Sequence, residues 1–377
     1  MNGRPKTVPH PAIPFSFFAT GLAAIGGAIL WPIVQEPSRL ALLHLLVVGG
    51  YATIAMGALY QFVPVVGMST LRGAPFAFVH LMLAVAGTCL IVSGFALSRP
   101  ALLLAGGELQ IAGIVIQVAI LGATLWRGPR AVPARGASLA LGWFAATAVA
   151  GSLLADRLQH GLPTGRLVGV HALLGLAGFF GTLIATVSFR LLRMFERYDL
   201  ESRTALRGIS VGAAAALAIF FGRAGTIALI AVALLLAGDL IDVLRHRSPA
   251  YQRETLLYTI ASSAGAIGAA IAAFAGWWYG AVVLAAWFFV GCAVVGYIQR
   301  IVPFIWWIQR ARREGVKHIP TLGRMNQSQL GHAILALWVV AGVWMLAAPL
   351  DRGPAFVALA AWIALLAQLS RPFVLRR

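Results

Sequence analysis

Residues 44–66 read HLLVVGGYATIAMGALYQFVPVV: 23 residues with one histidine at the start, no formal charge, and a Gln61-Phe62-Val63-Pro64 signature near the end. At ~1.5 Å per residue such a run outreaches the ~30 Å hydrocarbon layer of a bilayer. It therefore predicts a membrane-crossing helix. Eleven further runs of similar character follow or precede it, and the twelve expected spans are about 13–34, 40–62, 76–97, 101–125, 137–155, 167–189, 208–222, 225–243, 256–275, 280–299, 330–348 and 354–370. The chain is 60% apolar and only 11% charged, whereas soluble domains carry about a quarter charged residues. The alternation of outer-membrane strands is absent, which argues against a barrel. The expected fold class is an all-α polytopic membrane protein, a single transmembrane domain over residues 1–377.

The formal net charge of +18 invites a nucleic-acid reading, but its placement points elsewhere. Given these spans, one side of the membrane holds only Arg39, Arg99, Arg157, Arg166, Arg223 and Arg352, and the other 23 of the 29 Lys and Arg share a side with both termini. This is the positive-inside pattern, which places both termini in the cytoplasm and the chain in a bacterial inner membrane. The partner implied by the basic surface is the lipid bilayer, not nucleic acid. Cys89 and Cys292 lie inside apolar runs and form no CxxC motif. The first residues, MNGRPKTVPHPAIPF, show no removable signal peptide. No Walker loop, GxSxG elbow, HExxH or GxGxxG motif occurs.

The opening helix recurs. A shift of 129 places Gly49 on Gly178, Thr53 on Thr182 and Gln61 on Arg190. A shift of 239 places Gly57 on Gly296, Gln61 on Arg300, Val63 on Val302 and Pro64 on Pro303. The copies are spans two, six and ten. They imply three four-helix units, roughly 13–125, 137–243 and 256–370, with pseudo-threefold symmetry.

Four histidines fall within spans, where imidazole is costly and marks a partner or a ligand role. His44 and His171 each sit about five residues into spans entered from outside, at matching depth in copies one and two. Both are candidate metal or cofactor ligands. His80 and His332 lie near the cytoplasmic interface and are weaker candidates, read first as interfacial hydrogen-bonded side chains. Below His171, at helical spacing, come Gly175, Gly178 and Thr182. This smooth stripe suits either close helix packing or a flat macrocycle lying against the helix. His10, His160, His246 and His318 occupy polar segments. Glu108, with Gln110 and Gln117 in span four, is either a packing residue or a proton or coupling site. Arg157 and Arg166, near His171 on the outer surface, could hold carboxylates or be ordinary loop charges.

Twelve spans in three units of four, with histidines opening spans two and six, resemble the catalytic subunit (subunit I) superfamily of haem–copper oxidases. The texture of Gly57–Pro64, His171–Gly178 and Arg300–Trp307 is similar to its short bacterial subunit-I-like members and to NnrS-type haem-and-copper proteins linked to nitric oxide. The resemblance implies a low-spin haem on His44 and a copper ligand at His171. The chain departs from the family in spans seven and ten, which lack the histidines that complete the copper site and hold the second haem. The resulting expectation is a haem b-binding membrane protein in electron transfer or in a nitric oxide or redox response, with copper as a further candidate and full oxygen reduction not expected. If it is an enzyme, it is a haem-dependent oxidoreductase. A respiratory redox partner and a small gas ligand are the implied contacts. Two alternatives stay open: a transporter or permease coupled through Glu108, and a cofactor-free scaffold subunit that has kept the fold.

Overall fold

The computed structural model describes residues 9–126, 132–196, 204–246, 254–315, 319–349 and 351–374. Twelve helices account for nearly all of them: α1 (Ala12–Val34), α2 (Arg39–Val66), α3 (Phe76–Ala96), α4 (Pro100–Trp126), α5 (Val132–Gln159), α6 (167–196), α7 (Thr204–Phe221), α8 (Arg223–His246), α9 (Glu254–Phe274), α10 (Trp278–Glu314), α11 (Ser328–Ala347) and α12 (Gly353–Val374). A four-residue helical turn, Leu322–Met325, precedes α11. Eleven of the helices are long and apolar enough to cross a membrane, and the described part of α7, Arg207–Phe221, is shorter. The protein is an all-α polytopic membrane protein.

Local chemistry sets the helix ends. The Ser38 hydroxyl accepts the Ala41 amide and caps α2. Pro75 and Pro100 stand at the starts of α3 and α4, where a missing N–H costs nothing. Gly222, at φ +58°, is the single residue between α7 and α8, as their tight spacing in the sequence suggests. Asp351 ties α12 to α11: its carboxylate accepts the Gly353 amide at 2.9 Å and the Trp344 indole N–H at 2.8 Å. The Gly353 amide, foremost, holds this carboxyl below its usual range.

One of the expected boundaries shifts. The inner loop expected from Arg300 begins only after Glu314, because α10 continues through Pro303 to Gly315. Arg310 lies over the Trp306 ring and bonds Glu314 one turn on, so the basic stretch is the end of a helix. Of the inner segment expected from Arg190 to Arg207, residues 197–203 lie outside the described residues.

The three copies of the opening helix share an unusual backbone. Residues 45–52 of α2, 174–181 of α6 and 284–291 of α10 each form an eight-residue π-helical segment. Their starts are separated by the same 129 and 239 residues as the sequence matches. Within such a segment the bonds run from i to i+5, so an α-helical stripe does not carry through it unchanged.

The chain forms two compact units. The first contains Met1–Trp31, Gln35–Arg190 and Glu201–Val232, and the second contains Pro32–Val34, Leu191–Leu200 and Ala233–Arg377. Lipid is as apolar as leucine, so helices associate by close packing and hydrogen bonds rather than by escaping water. In the first unit α1 meets α2 where Gly57 faces Phe17, and α5 meets α6 where Gly136 faces Thr186. In the second, α9 meets α10 where Gly296 faces Tyr258. At residues 57, 186 and 296, related by the repeat, one side of the contact is always glycine. A Cβ on Gly57 or Gly296 would stand 2.4 Å from the Cβ of Phe17 or Tyr258, with no flexible end to move aside. Gly57→Ala and Gly296→Ala are therefore each expected to cost about 1–3 kcal/mol, the range for overpacking, read as a lower unfolding midpoint of the purified protein.

Candidate paired-histidine site

His44 and His171 come together in the first unit. Their ring centres are 6.2 Å apart and their planes differ by 14°. His44 is the sixth residue of α2, directly before the π-helical segment, and His171 is the fifth residue of α6. Both side chains are half-buried. The Phe95 ring of α3 lies 4.7 Å from that of His44.

The hydrogen bonds define the tautomers. His44 Nδ1 lies 2.7 Å from the Leu40 carbonyl oxygen, and His171 Nδ1 lies 3.0 Å from that of Thr147 on α5. A carbonyl only accepts, so in each ring Nδ1 carries the hydrogen and donates it. Each Nε2 is left with a free lone pair. An imidazole whose other nitrogen donates to a backbone carbonyl is the usual arrangement of a metal-binding histidine. Two imidazoles binding one metal from opposite sides, at ~2.0 Å per nitrogen with each ring centre ~1.1 Å behind its nitrogen, stand ~6.2 Å apart. The observed separation matches. The rings are near-parallel, and their separation also lies in the ~4.5–7 Å range of offset aromatic pairs, wider than the 4.1 Å of this protein's own Trp287–Trp338 stack.

The stripe below His171 faces protein. A Cβ on Gly175 would meet the Thr147 methyl at 3.2 Å, and one on Gly178 would meet the Trp143 ring at 3.1 Å. Both partners are on α5. Of the two roles open to this stripe, close helix packing is the one it performs, and a macrocycle has no room along it.

The other candidates are placed apart from this pair. His80, read from the sequence as an interfacial hydrogen-bonded side chain, is buried in the protein at 1% exposure. Its Nδ1 is 2.9 Å from the Tyr60 hydroxyl, and it packs against the Phe17 ring and Gly113. His332 is exposed on α11 in the second unit. Glu108 is exposed on α4, while Gln110 and Gln117 are buried. Gln110 donates to the Ala84 carbonyl and the Thr88 hydroxyl on α3, and Gln117 to the Met56 carbonyl on α2, so both act as interhelical links. The Arg166 guanidinium lies 3.5 Å from the carbonyl oxygens of Ile219 and Phe220 at the end of α7, and Arg157 donates to the Pro163 carbonyl. Both are thus engaged with backbone. His10 and His160 are exposed; the His246 side chain and His318 lie outside the described residues. Among the described residues no group of three or more His, Cys, Asp and Glu side chains is placed to hold a metal.

Several features of the site have no signal in the sequence. The Thr147 carbonyl is backbone, Gly151, whose Cβ position lies against the His171 ring, is one glycine among 41, and Phe95 is an ordinary apolar residue of a span. In the second unit, buried Glu254 pairs with Arg300 and with the Ser328 hydroxyl, and Arg300 Nε donates to Thr255 at 2.9 Å. Its one sequence clue is that Arg300 falls on Gln61 in the repeat. No family model matches this chain, and no curated protein does.

Proposed function

We propose that this chain is a bis-histidine haem b protein of the bacterial inner membrane, with both termini cytoplasmic, that exchanges electrons with a respiratory redox partner. The observation that carries the reading is the His44–His171 pair: two imidazoles from different helices, near-parallel, with both Nδ1 atoms occupied and ring centres at the separation of a shared metal. The donor set favours haem over a bare ion. Zinc or copper held by side chains draws on three or four of them, and only two converge here. A haem brings four nitrogens of its own and asks the protein for one or two axial ligands.

When bound, the haem supplies one-electron chemistry. His44 and His171 would hold it. The Leu40 and Thr147 carbonyls fix the tautomers and strengthen the imidazoles as donors, and Phe95 forms an apolar wall beside His44. A haem that His44 and His171 would hold together would suit electron transfer, or a redox response to a small gas such as nitric oxide, better than oxygen reduction. A copper partner has no ligand set among the described residues. The three π-helical segments at one register support a scaffold of three four-helix units, pseudo-threefold and haem–copper-oxidase-like.

Protein purified from haem-replete cells is expected to show a Soret band, a low-spin spectrum when oxidised and about one haem per chain, the stoichiometry of a single six-coordinate centre. A colourless, haem-free preparation would overturn the proposal.

A further inference from the structure

The two imidazoles of the site are held in different ways. His44 is secured by its own helix: its Nδ1–H donates to the carbonyl of Leu40, four residues earlier, and Phe95 packs beside the ring. His171 instead reaches across to α5 and donates to the Thr147 carbonyl. Thr147 is itself fixed. Its hydroxyl donates to the Trp143 carbonyl at 2.7 Å, and its methyl group lies where a Gly175 side chain would go.

The reach to Thr147 depends on a missing side chain. Gly151 lies four residues after Thr147, on the same face of α5 and one turn along. A Cβ there would stand 3.1 Å from His171 Cε1 and 3.4 Å from its Nδ1. The ring thus stands so close that a methyl group at 151 would press it by a few tenths of an ångström and a longer side chain would claim its place. Other glycines of the chain sit in open space, Gly142 on the same helix among them.

We propose that Gly151 is the positioning residue for His171 as an axial ligand. It opens the seat in which the imidazole meets the Thr147 carbonyl, so α5 controls one ligand of the pair while the Leu40 carbonyl of α2 and Phe95 of α3 hold the other. The inference rests on the haem reading and adds to it a division of labour: His44 keeps the haem, and the α5–α6 contact decides whether His171 reaches it.

The test uses the full-length purified protein, with absorption and electron paramagnetic resonance spectra of the oxidised form and carbon monoxide added to the reduced form. Gly151→Leu is expected to behave as His171→Ala does: haem still present on His44, a low-spin to high-spin change, and carbon monoxide binding that the parent lacks. Haem affinity should fall by about 10–100-fold, the usual effect of disturbing a ligand's supporting contact. Gly151→Ala should remain low-spin with shifted g-values, because the ring must move by a few tenths of an ångström. Gly142→Leu should match the parent. A coloured parent whose Gly151→Leu and Gly151→Ala variants keep its spectra would overturn this inference and leave the haem reading standing. If Gly151→Leu does not fold, unchanged g-values in Gly151→Ala overturn it equally. A colourless parent overturns both.

Discussion

Replacing both His44 and His171 with alanine is expected to give a folded but colourless protein. Each single replacement should give a high-spin haem of lower occupancy. Both side chains are half-buried, and each bonds only a backbone carbonyl, so their removal leaves no buried charge and opens no closed core. Loss of a mere supporting contact costs a metal site about 10–100-fold in affinity. Loss of both direct ligands should therefore lower haem content by at least roughly 100-fold on the same scale. His332→Ala, altering an exposed histidine of the second unit, should leave the spectrum as it is. Haem that survives the double replacement, or a spectrum lost in His332→Ala alone, would remove the paired-histidine site. The expected stoichiometry follows from the repeat. The positions of copy three that match His44 and His171 are Val283 and Ala281. One turn further on, Trp287 stacks on Trp338 with reciprocal indole-to-carbonyl hydrogen bonds.

The spans were legible because hydrocarbon thickness dictates helix length and leaves a long apolar run behind. The repeat was legible from a few glycines and prolines, and the π-helical segments occur at the same shifts, so those residues mark a shared backbone. The small stripe below His171 was legible as a feature but not in its use, which depends on Thr147 and Trp143 of α5 occupying it. The same holds for His80. Sequence depth places it near the headgroups, and it is the arrival of Phe17, Tyr60 and Gly113 from three other helices that buries it. Arg300 reads as the start of a loop because arginine is costly in lipid. Glu254, which opens α9, supplies the charge that lets α10 carry it inside a helix. The distance between His44 and His171, on which the function turns, is set by helix packing that no local pattern encodes.

Glu254→Ala is expected to destabilise the second unit by about 3–5 kcal/mol, the cost of leaving one partner of a buried ion pair uncompensated. Glu254 is 3% exposed and receives the Arg300 guanidinium and the Ser328 hydroxyl, so one carboxylate joins α9, α10 and α11. The two halves of the pair are not equivalent. An arginine keeps its charge in any protein environment, so without Glu254 the guanidinium must stay buried and charged or drag α10 toward water. A glutamate left without its arginine still accepts from the Ser328 hydroxyl, so its carboxylate keeps one partner. Arg300→Met should therefore cost less than Glu254→Ala. Glu254→Leu combined with Arg300→Met should recover much of the loss, since well-packed apolar replacements of a buried pair are often neutral. Unfolding midpoints of these variants and the parent, taken in one detergent, give the order directly. Equal midpoints for Glu254→Ala and the parent would show that the pair carries no stability. A double variant weaker than Glu254→Ala would show that its role is to fix the packing of α9 on α10 through the Arg300–Thr255 contact.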